Sequence, residues 1–290
     1  MALVPSAFFG SHVTRNALTV VAWASLAWDY ISRLRDEYQV IWKPIAIERR
    51  PSSIANLYIF LRYGGLIGQT INMVWTMVLL SSPFIHPSVC SSWYWFQSLL
   101  IQALFGVMQY VVMLRIDALY CGDLRRRTVL LLSWLLERAA LMYIAIETYR
   151  ALRNDAACMV ARPPVTLTIG LVATVVVVQL FAWGMTFFKI HGGPKSPLTR
   201  RLNRDGAVVC ASIVVLYLVA VPYATVVDVL MHNIHAFMIT MLSNMGCGLI
   251  LNLQCLASDH QRSKLSHAGS TSSTWCLDTL EASVDSDGGS

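Results

Sequence analysis

The chain has few charged residues for its length. Only 13% of its 290 residues are charged, whereas a soluble domain carries about a quarter. Hydrophobic residues make up 56% of the sequence. This shortage of charge excludes an ordinary soluble domain and predicts that lipid surrounds much of the chain. The net charge of +6 lies mostly in short connections between apolar segments. We therefore interpret it as a membrane-orientation signal and expect no nucleic-acid binding.

Three other features are absent from the sequence. It has no Asn-x-Ser/Thr sequence, so no N-glycosylation acceptor reports which side of a membrane a loop faces. It shows no internal repeat of the kind that many transporters carry. No nucleophile-and-base constellation stands out either. We therefore expect a protein that is not an enzyme and that needs no cofactor.

Seven apolar segments are long enough to cross a bilayer, which takes about 20 residues in a helix. They run over 14–34, 54–80, 93–120, 128–149, 165–190, 206–231 and 235–257. The prediction is an all-α membrane protein, a single bundle of seven transmembrane helices over residues 14–257. Residues 1–13 form a short arm before the bundle. Residues 258–290 are rich in Ser, Asp, Gly and Thr, so we expect a disordered acidic tail.

Basic residues alternate between the two sides of the predicted bundle. One side holds Arg33, Arg35, Lys43, Arg49, Arg50, Arg125, Arg126, Arg127, Lys189, Lys195, Arg200, Arg201, Arg204, Arg262 and Lys264. The other side holds only Arg15, Arg150, Arg153 and Arg162. Short loops rich in Lys and Arg face the cytosol. This predicts an outside N-terminus and a cytosolic C-terminus, and we expect the plasma membrane as the location.

Two sequence patterns carry a resemblance to a known family. The first consists of Trp28-Asp29-Tyr30, Glu37, Ile41-Trp42, Phe60 and Arg62-Tyr63, with Glu37 eight residues after Asp29 and Trp42 five after Glu37. The second is the run from Leu114 to Tyr120, followed by Arg125 to Arg127. With these patterns the chain resembles the fungal, basidiomycete domain-of-unknown-function 6533 family of multi-pass membrane proteins. The resemblance implies a multi-pass protein with no assigned activity, and it supplies no catalytic residues.

Four ionisable residues inside predicted helices need an explanation, because a charge costs about 2.5 to 3.5 kcal/mol at the helix centre; they are Asp29, Arg62, Glu137 and Arg138. At about 1.5 Å of rise per residue, Asp29 and Arg62 lie at comparable depth in helices one and two. We predict an ion pair between them, either as a structural bridge or as part of a switch or ion path. Glu137 and Arg138 are consecutive and point about 100° apart, so we expect them not to share a partner. Glu137 is either a hydrogen-bonded acid between helices or a proton or cation site.

Cysteine, aromatic and metal-ligand patterns fall near the predicted outer surface. The orientation places Cys90 and Cys158 in outside connections, where disulfides form. This arrangement resembles the one that links the same two places in G-protein-coupled receptors, and we predict a Cys90–Cys158 bridge. Asp228, His232 and His235 have a spacing that suits a metal ion, although no fourth ligand is evident. The run from Trp93 to Trp95 predicts an interfacial aromatic belt, with a ligand-lining role as the alternative.

The topology and several local features together resemble a receptor. They are the predicted disulfide, Arg115, Asp117 and Tyr120 at the inner end of helix three, and Pro222 within helix six. Helix seven, however, lacks the Asn-Pro-x-x-Tyr sequence of rhodopsin-like receptors. The leading hypothesis is a receptor-like protein with an unknown ligand and a cytosolic signalling partner. The alternative is a small-solute or ion transporter or channel that uses Glu137 or the Asp29/Arg62 pair.

Overall fold

The structure is a computed structural model that describes residues 6–48, 52–81, 87–119, 124–151, 165–191, 206–219 and 231–266. All regular secondary structure within these ranges is helical, in seven continuous helices that we label α1 to α7. Helix α1 consists of Ser6–Glu37, a π-helical turn Tyr38–Trp42 and Lys43–Glu48; α2 consists of Ser53–Ile59, a π-helical turn Phe60–Gly64 and Gly65–Ser81. The others are α3 (Pro87–Leu119), α4 (Leu124–Ala151), α5 (Val165–His191), α6 (Gly206–Val219) and α7 (Met231–Ser266).

The seven helices overlap the seven predicted segments but differ from them at several ends. Helix α1 starts inside the predicted arm and continues past residue 34, because Ile41 is buried and holds this segment against the bundle. Helix α7 extends to Ser266, past residue 258 where the predicted tail begins. Most residue types in 258–266 are tolerated in a helix. The rest of the predicted tail and the second half of predicted helix six, with Pro222, lie outside the described residues.

Within the part of the chain that the structure describes, four helices are long and apolar enough to cross a membrane: α3, α4, α5 and α7. Their outward faces are apolar, and α5 is the least buried of the four. On α5, Val177 is 64% exposed and Phe188 is 76% exposed. Large exposed apolar surfaces of this kind mark contact with lipid or a partner rather than water. These helices therefore indicate a membrane protein.

Successive helices from α1 to α4 run in alternating directions, and α7 runs parallel to α1. Two contacts at different levels define the relative direction of each pair of helices. Helices α1 and α2 are joined by Trp23 with Thr70 and by Tyr30 with Arg62, and α2 and α3 by Asn72 with Trp93 and by Gly68 with Leu100. Helices α3 and α4 are joined by Ser91 with Tyr149 and by Asp117 with Arg127, and α1 and α7 by Ala22 with Thr240 and by Arg33 with Gly248. Alternation is the arrangement that consecutive membrane crossings require. It also brings the C-terminal part of α1 beside the N-terminal part of α2.

Helix α7 packs closely against α2 at two small residues. A Cβ atom on Gly65 would lie 2.5 Å from Ser243 Oγ, and one on Gly246 would lie 2.8 Å from Leu61 Cδ1. The Ser243 hydroxyl donates a hydrogen bond to the Leu61 carbonyl oxygen at 2.9 Å. Small residues let two helix backbones approach in this way where membrane helices pack. The close approach sets α7 directly beside the π-helical turn of α2.

Candidate functional site

The polar residues of the first sequence pattern, together with Tyr30 and Trp42, meet where the end of α1 lies beside the start of α2. We name this group the signature cluster; it contains Asp29, Tyr30, Arg33, Glu37, Trp42, Arg62 and Tyr63. Arg62 lies at its centre. Its Nε atom is 2.7 Å from Glu37 Oε2, its Nη1 atom is 3.5 Å from Asp29 Oδ2, and Nη2 donates to the Tyr30 carbonyl oxygen at 2.7 Å. One guanidinium group of α2 thus contacts three oxygen atoms of α1.

Glu37 is the closest acidic partner of Arg62. Its side chain is fully buried. Besides the contact with Arg62, its Oε1 atom accepts hydrogen bonds from Trp42 Nε1 at 2.9 Å and from the Tyr63 hydroxyl at 3.0 Å. Charge-assisted hydrogen bonds such as these are roughly twice as strong as neutral ones. Glu37 therefore joins the two π-helical turns through a single carboxylate.

Asp29, the predicted partner of Arg62, is shared between two arginines. Its Oδ1 atom lies 2.8 Å from Arg33 Nε, a shorter distance than the one from Oδ2 to Arg62. The two carboxylates and two guanidinium groups of the cluster balance in formal charge. The sequence prediction ends helix one at residue 34 and leaves Glu37 in a connection, so it misses this buried carboxylate. The signal that marks Glu37 is its place in the family pattern, eight residues after Asp29.

Both π-helical turns adjoin the signature cluster. In the first turn the Lys43 backbone N–H donates to the Tyr38 carbonyl oxygen, an i to i+5 bond that widens the helix. This geometry brings the Trp42 indole back over Glu37, five residues earlier. The second turn contains Arg62 and Tyr63. Single π-helical turns inside α-helices are frequent at functional sites.

Aromatic rings cover the Arg62 guanidinium. Its central carbon lies 4.8 Å from the ring centroid of Tyr30 and 5.8 Å from that of Tyr58. A cation over an aromatic face at this distance is attracted by the ring quadrupole. Tyr63 packs edge-on against Tyr30, with centroids 5.8 Å apart. The rings exclude solvent from the ion pairs and hold the guanidinium plane in place.

Three polar side chains connect α7 to neighbouring helices at successive levels along the bundle. Thr240 Oγ1 donates to the Ala22 carbonyl oxygen of α1 at 3.2 Å, and Ser243 bonds α2 as described above. Arg115 Nη2 of α3 donates to the Leu249 carbonyl oxygen of α7. Each link joins a side chain to a backbone carbonyl group. Helix α7 is therefore attached by hydrogen bonds to α1, α2 and α3.

The residues expected at the inner end of helix three occupy different surroundings. Arg115 is buried and contacts α7, whereas Asp117 is half-buried and lies 3.9 Å from Arg127 Nε of α4. Tyr120 lies outside the described residues. Arg115 and Asp117 therefore contact different helices.

Glu137 and Arg138 form a second buried group, the Glu137 cluster, with Gln102 and Gln109. Gln109 Nε2 donates to Glu137 Oε1 at 2.8 Å, and Arg138 Nη2 donates to Gln109 Oε1 at 2.7 Å. Arg138 Nη1 also donates to Gln102 Oε1 at 3.1 Å. The expectation that Glu137 and Arg138 share no partner is therefore wrong. The glutamine amide carries a donor and an acceptor side by side, so it binds both long side chains despite their angular separation.

Two residues of the predicted interfacial aromatic belt, Trp93 and Tyr94, are buried inside the bundle. Trp93 is 2% exposed and donates from Nε1 to Asn72 Oδ1 at 3.1 Å. Tyr94 is also buried; it stacks on Tyr149 and lies edge-on to His235. The interfacial interpretation of Trp93 and Tyr94 is wrong because polar partners inside the bundle bind their polar atoms or rings. We name Tyr94, Trp95, Tyr149 and His235 the aromatic cluster.

The predicted metal site and disulfide fall mostly outside the described residues. Asp228 and the His232 side chain lie there, and His235 packs in the aromatic cluster. Among the side chains that the structure describes, no three potential metal ligands come together. Cys90 is disulfide-bonded, and its partner lies beyond the described ranges. The pairing with Cys158 stays a prediction.

Comparison with known proteins bears on the signature cluster. Residues 17–67 match a family of unknown function (DUF6533). The matched stretch runs from α1 into α2 and contains every residue of the signature cluster. No curated protein and no solved structure is significantly similar to the chain. The family pattern therefore coincides with one buried polar site, and it carries no known activity.

Proposed function

We propose that this chain is a seven-helix receptor of the plasma membrane, with its N-terminus outside and its C-terminus in the cytosol. The observation that carries the proposal is the signature cluster. A receptor needs two arrangements of one bundle and a ligand that binds them with different affinities. A buried, charge-balanced group at the α1–α2 junction, next to α7, is suited to hold one such arrangement.

The contacts of Arg62 make that arrangement cooperative. Any movement of α2 along α1 breaks its bonds to Glu37, Asp29 and the Tyr30 carbonyl group together. Separating a buried ion pair costs about 3 to 5 kcal/mol of stability when one charge stays buried without its partner. Two states separated in this way are discrete rather than continuously deformable.

Helix α7 provides a connection from this cluster to the other end of the bundle. It is hydrogen-bonded to α1, α2 and α3 at successive levels between Thr240 and Leu249, while His235 at its beginning packs in the aromatic cluster. We place the ligand-binding region at that far end. A ligand that binds there and displaces α7 changes the hydrogen bonds that α7 makes to α1 and α2.

Transport is the rival function, and the two charged groups support it unequally. At the signature cluster the charges are balanced, and Arg62 is held by Glu37 as well as Asp29. An ion moving through this group has to break all of these contacts. Glu137 is the better candidate for an ion path because it lies within α4, one of the four helices that can cross a membrane.

Release of the signature cluster tests the receptor proposal. We expect Glu37→Gln to raise ligand-independent signalling of the chain, expressed in cells that lack their own copy and normalised to folded protein at the surface. Asp36→Asn is the matched control, since Asp36 is the exposed neighbouring carboxylate on the same helix. Solute uptake that depends on Glu137, together with unchanged signalling in Glu37→Gln, would overturn the proposal in favour of transport.

A further inference from the structure

A small cavity lies between α3, α4 and α5 beside the Glu137 cluster. It admits a water-sized sphere over about 20 Å³. Its polar lining residues are Gln109, Ser133, Trp134, Glu137 and Gln179, and the remainder is apolar. A buried site needs about 10 to 15 Å³ of this kind of space to hold one water molecule. The cavity is therefore large enough for a single water.

Two buried polar atoms of the lining residues lack a partner among the described residues. One is the acceptor Glu137 Oε2, and the other is the donor Trp134 Nε1. The other carboxylate oxygen, Oε1, is occupied by Gln109. A buried donor or acceptor without a partner costs about 1 to 3 kcal/mol. An occupant that both donates and accepts a hydrogen bond would satisfy the two atoms together.

The charges around the cavity argue that its occupant is not a cation. Arg138 Nη2 on α4 lies 3.4 Å from Glu137 Oε1 and already supplies the positive charge. Helix α6 contributes the neutral phenol Tyr217 nearby, while α3 and α5 contribute the neutral amides Gln109 and Gln179. A second cation would be repelled by Arg138. An apolar occupant would leave both unpartnered atoms unsatisfied.

We propose that this cavity binds one water molecule, which donates a hydrogen bond to Glu137 Oε2 and accepts one from Trp134 Nε1. The water completes the donors around the Glu137 carboxylate and joins two side chains of α4. The site does not depend on the receptor proposal. It depends only on the two buried atoms and on the volume beside them.

Radiolytic footprinting of the purified chain tests the proposal, because hydroxyl radicals formed from a bound water oxidise the side chains next to it. Met113 lines the cavity and serves as the reporter. We expect rapid Met113 oxidation in the unmodified chain and its loss in Ala182→Leu, which fills the cavity from α5. Ala173→Leu is the matched control, because Ala173 is exposed on the same helix, and it should leave oxidation unchanged.

A second measurement needs no cavity-filling variant. The ultraviolet resonance Raman difference between the unmodified chain and Trp134→Phe isolates the indole N–H signal of Trp134. We expect the signature of a hydrogen-bonded indole that exchanges in heavy water. Either an unbonded N–H or a Met113 that resists oxidation in the unmodified chain would show a dry cavity. Oxidation that persists in Ala182→Leu would show bulk access, and any of these three results overturns the proposal.

Discussion

At the scale of single residues, the signature cluster depends on the shape of the arginine side chain. The guanidinium group presents donors in a planar fork, and Arg62 uses three of its nitrogen atoms on three different acceptors of α1. A lysine ammonium is a compact point charge and cannot reach Glu37, Asp29 and the Tyr30 carbonyl group in one plane. The acceptors are unequal, since only Glu37 is both fully buried and in close contact.

This inequality predicts different effects for the two acidic residues. Glu37→Gln should lower the free energy of unfolding by about 3 kcal/mol, because Arg62 then stays buried without its closest counter-charge. Asp29→Asn should cost about 1 kcal/mol or less, since Asp29 is partly exposed and its second partner, Arg33, is more exposed still. Thermal or denaturant unfolding of the purified variants in detergent micelles measures both.

The exposed carboxylate Asp36 supplies the control for this pair. Asp36→Asn removes the same charge from the neighbouring position and should leave stability unchanged within error. Equal losses for Glu37→Gln and Asp29→Asn would contradict the assignment of Glu37 as the principal partner of Arg62.

Sequence reasoning reaches some of these contacts and not others, for a physical reason. Depth along two helices follows from residue counting, so the comparable depth of Asp29 and Arg62 is predictable from the sequence. The choice among acceptors depends on side-chain reach across a packed interface, which counting does not supply. Gln109 is such a case, because nothing in the sequence marks this residue of α3 as the bridge between Glu137 and Arg138.

At the scale of helices, the close approach of α2 and α7 fixes the position of the signature cluster. Gly65 directly follows the π-helical turn that carries Arg62 and faces Ser243. The positions of most helices are predictable from apolar length. The two π-helical turns are not predictable in this way, because a turn that is wider by one residue does not change the apolar composition of the segment.

Two adjacent glycines allow a sharp test of this helix packing. Gly65→Ala should destabilise the bundle by about 1 to 3 kcal/mol, because the new methyl group overlaps Ser243. Gly64→Ala should be neutral or stabilising by about 0.5 to 1 kcal/mol, since open space surrounds that position and alanine favours a helix. Unfolding midpoints in one detergent compare the two variants directly.

The same pair can be checked by reciprocal change of size. Adding Ser243→Gly to Gly65→Ala removes the atoms that the new methyl group meets, so stability should return in large part. If Gly65→Ala proves as stable as Gly64→Ala, then α2 and α7 do not approach as closely as the structure shows.

At the scale of the whole molecule, alternating helix direction and alternating basic loops agree with each other. The side-chain contacts that orient α1 to α4 and the count of basic residues in the loops are independent observations. Both place the α1–α2 and α3–α4 connections on one side of the bundle. Among the described residues, length and hydropathy mark four helices as crossings, α3, α4, α5 and α7, so the proposal of seven adds α1, α2 and α6.

The absence of any natural glycosylation sequence makes the proposed seven crossings directly testable. A single Asn-x-Ser/Thr sequence introduced into the chain reports on its own position, without background from other sites. Insertions in residues 1–13 and 152–164 should be glycosylated in cells, and those in 192–205 and 267–290 should not. Gel mobility before and after enzymatic deglycosylation gives the readout for each insertion. This connection holds Lys195, Arg200, Arg201 and Arg204, and with an outside N-terminus it faces the cytosol after five crossings. Glycosylation in 192–205 would therefore show either the opposite orientation or an even number of preceding crossings.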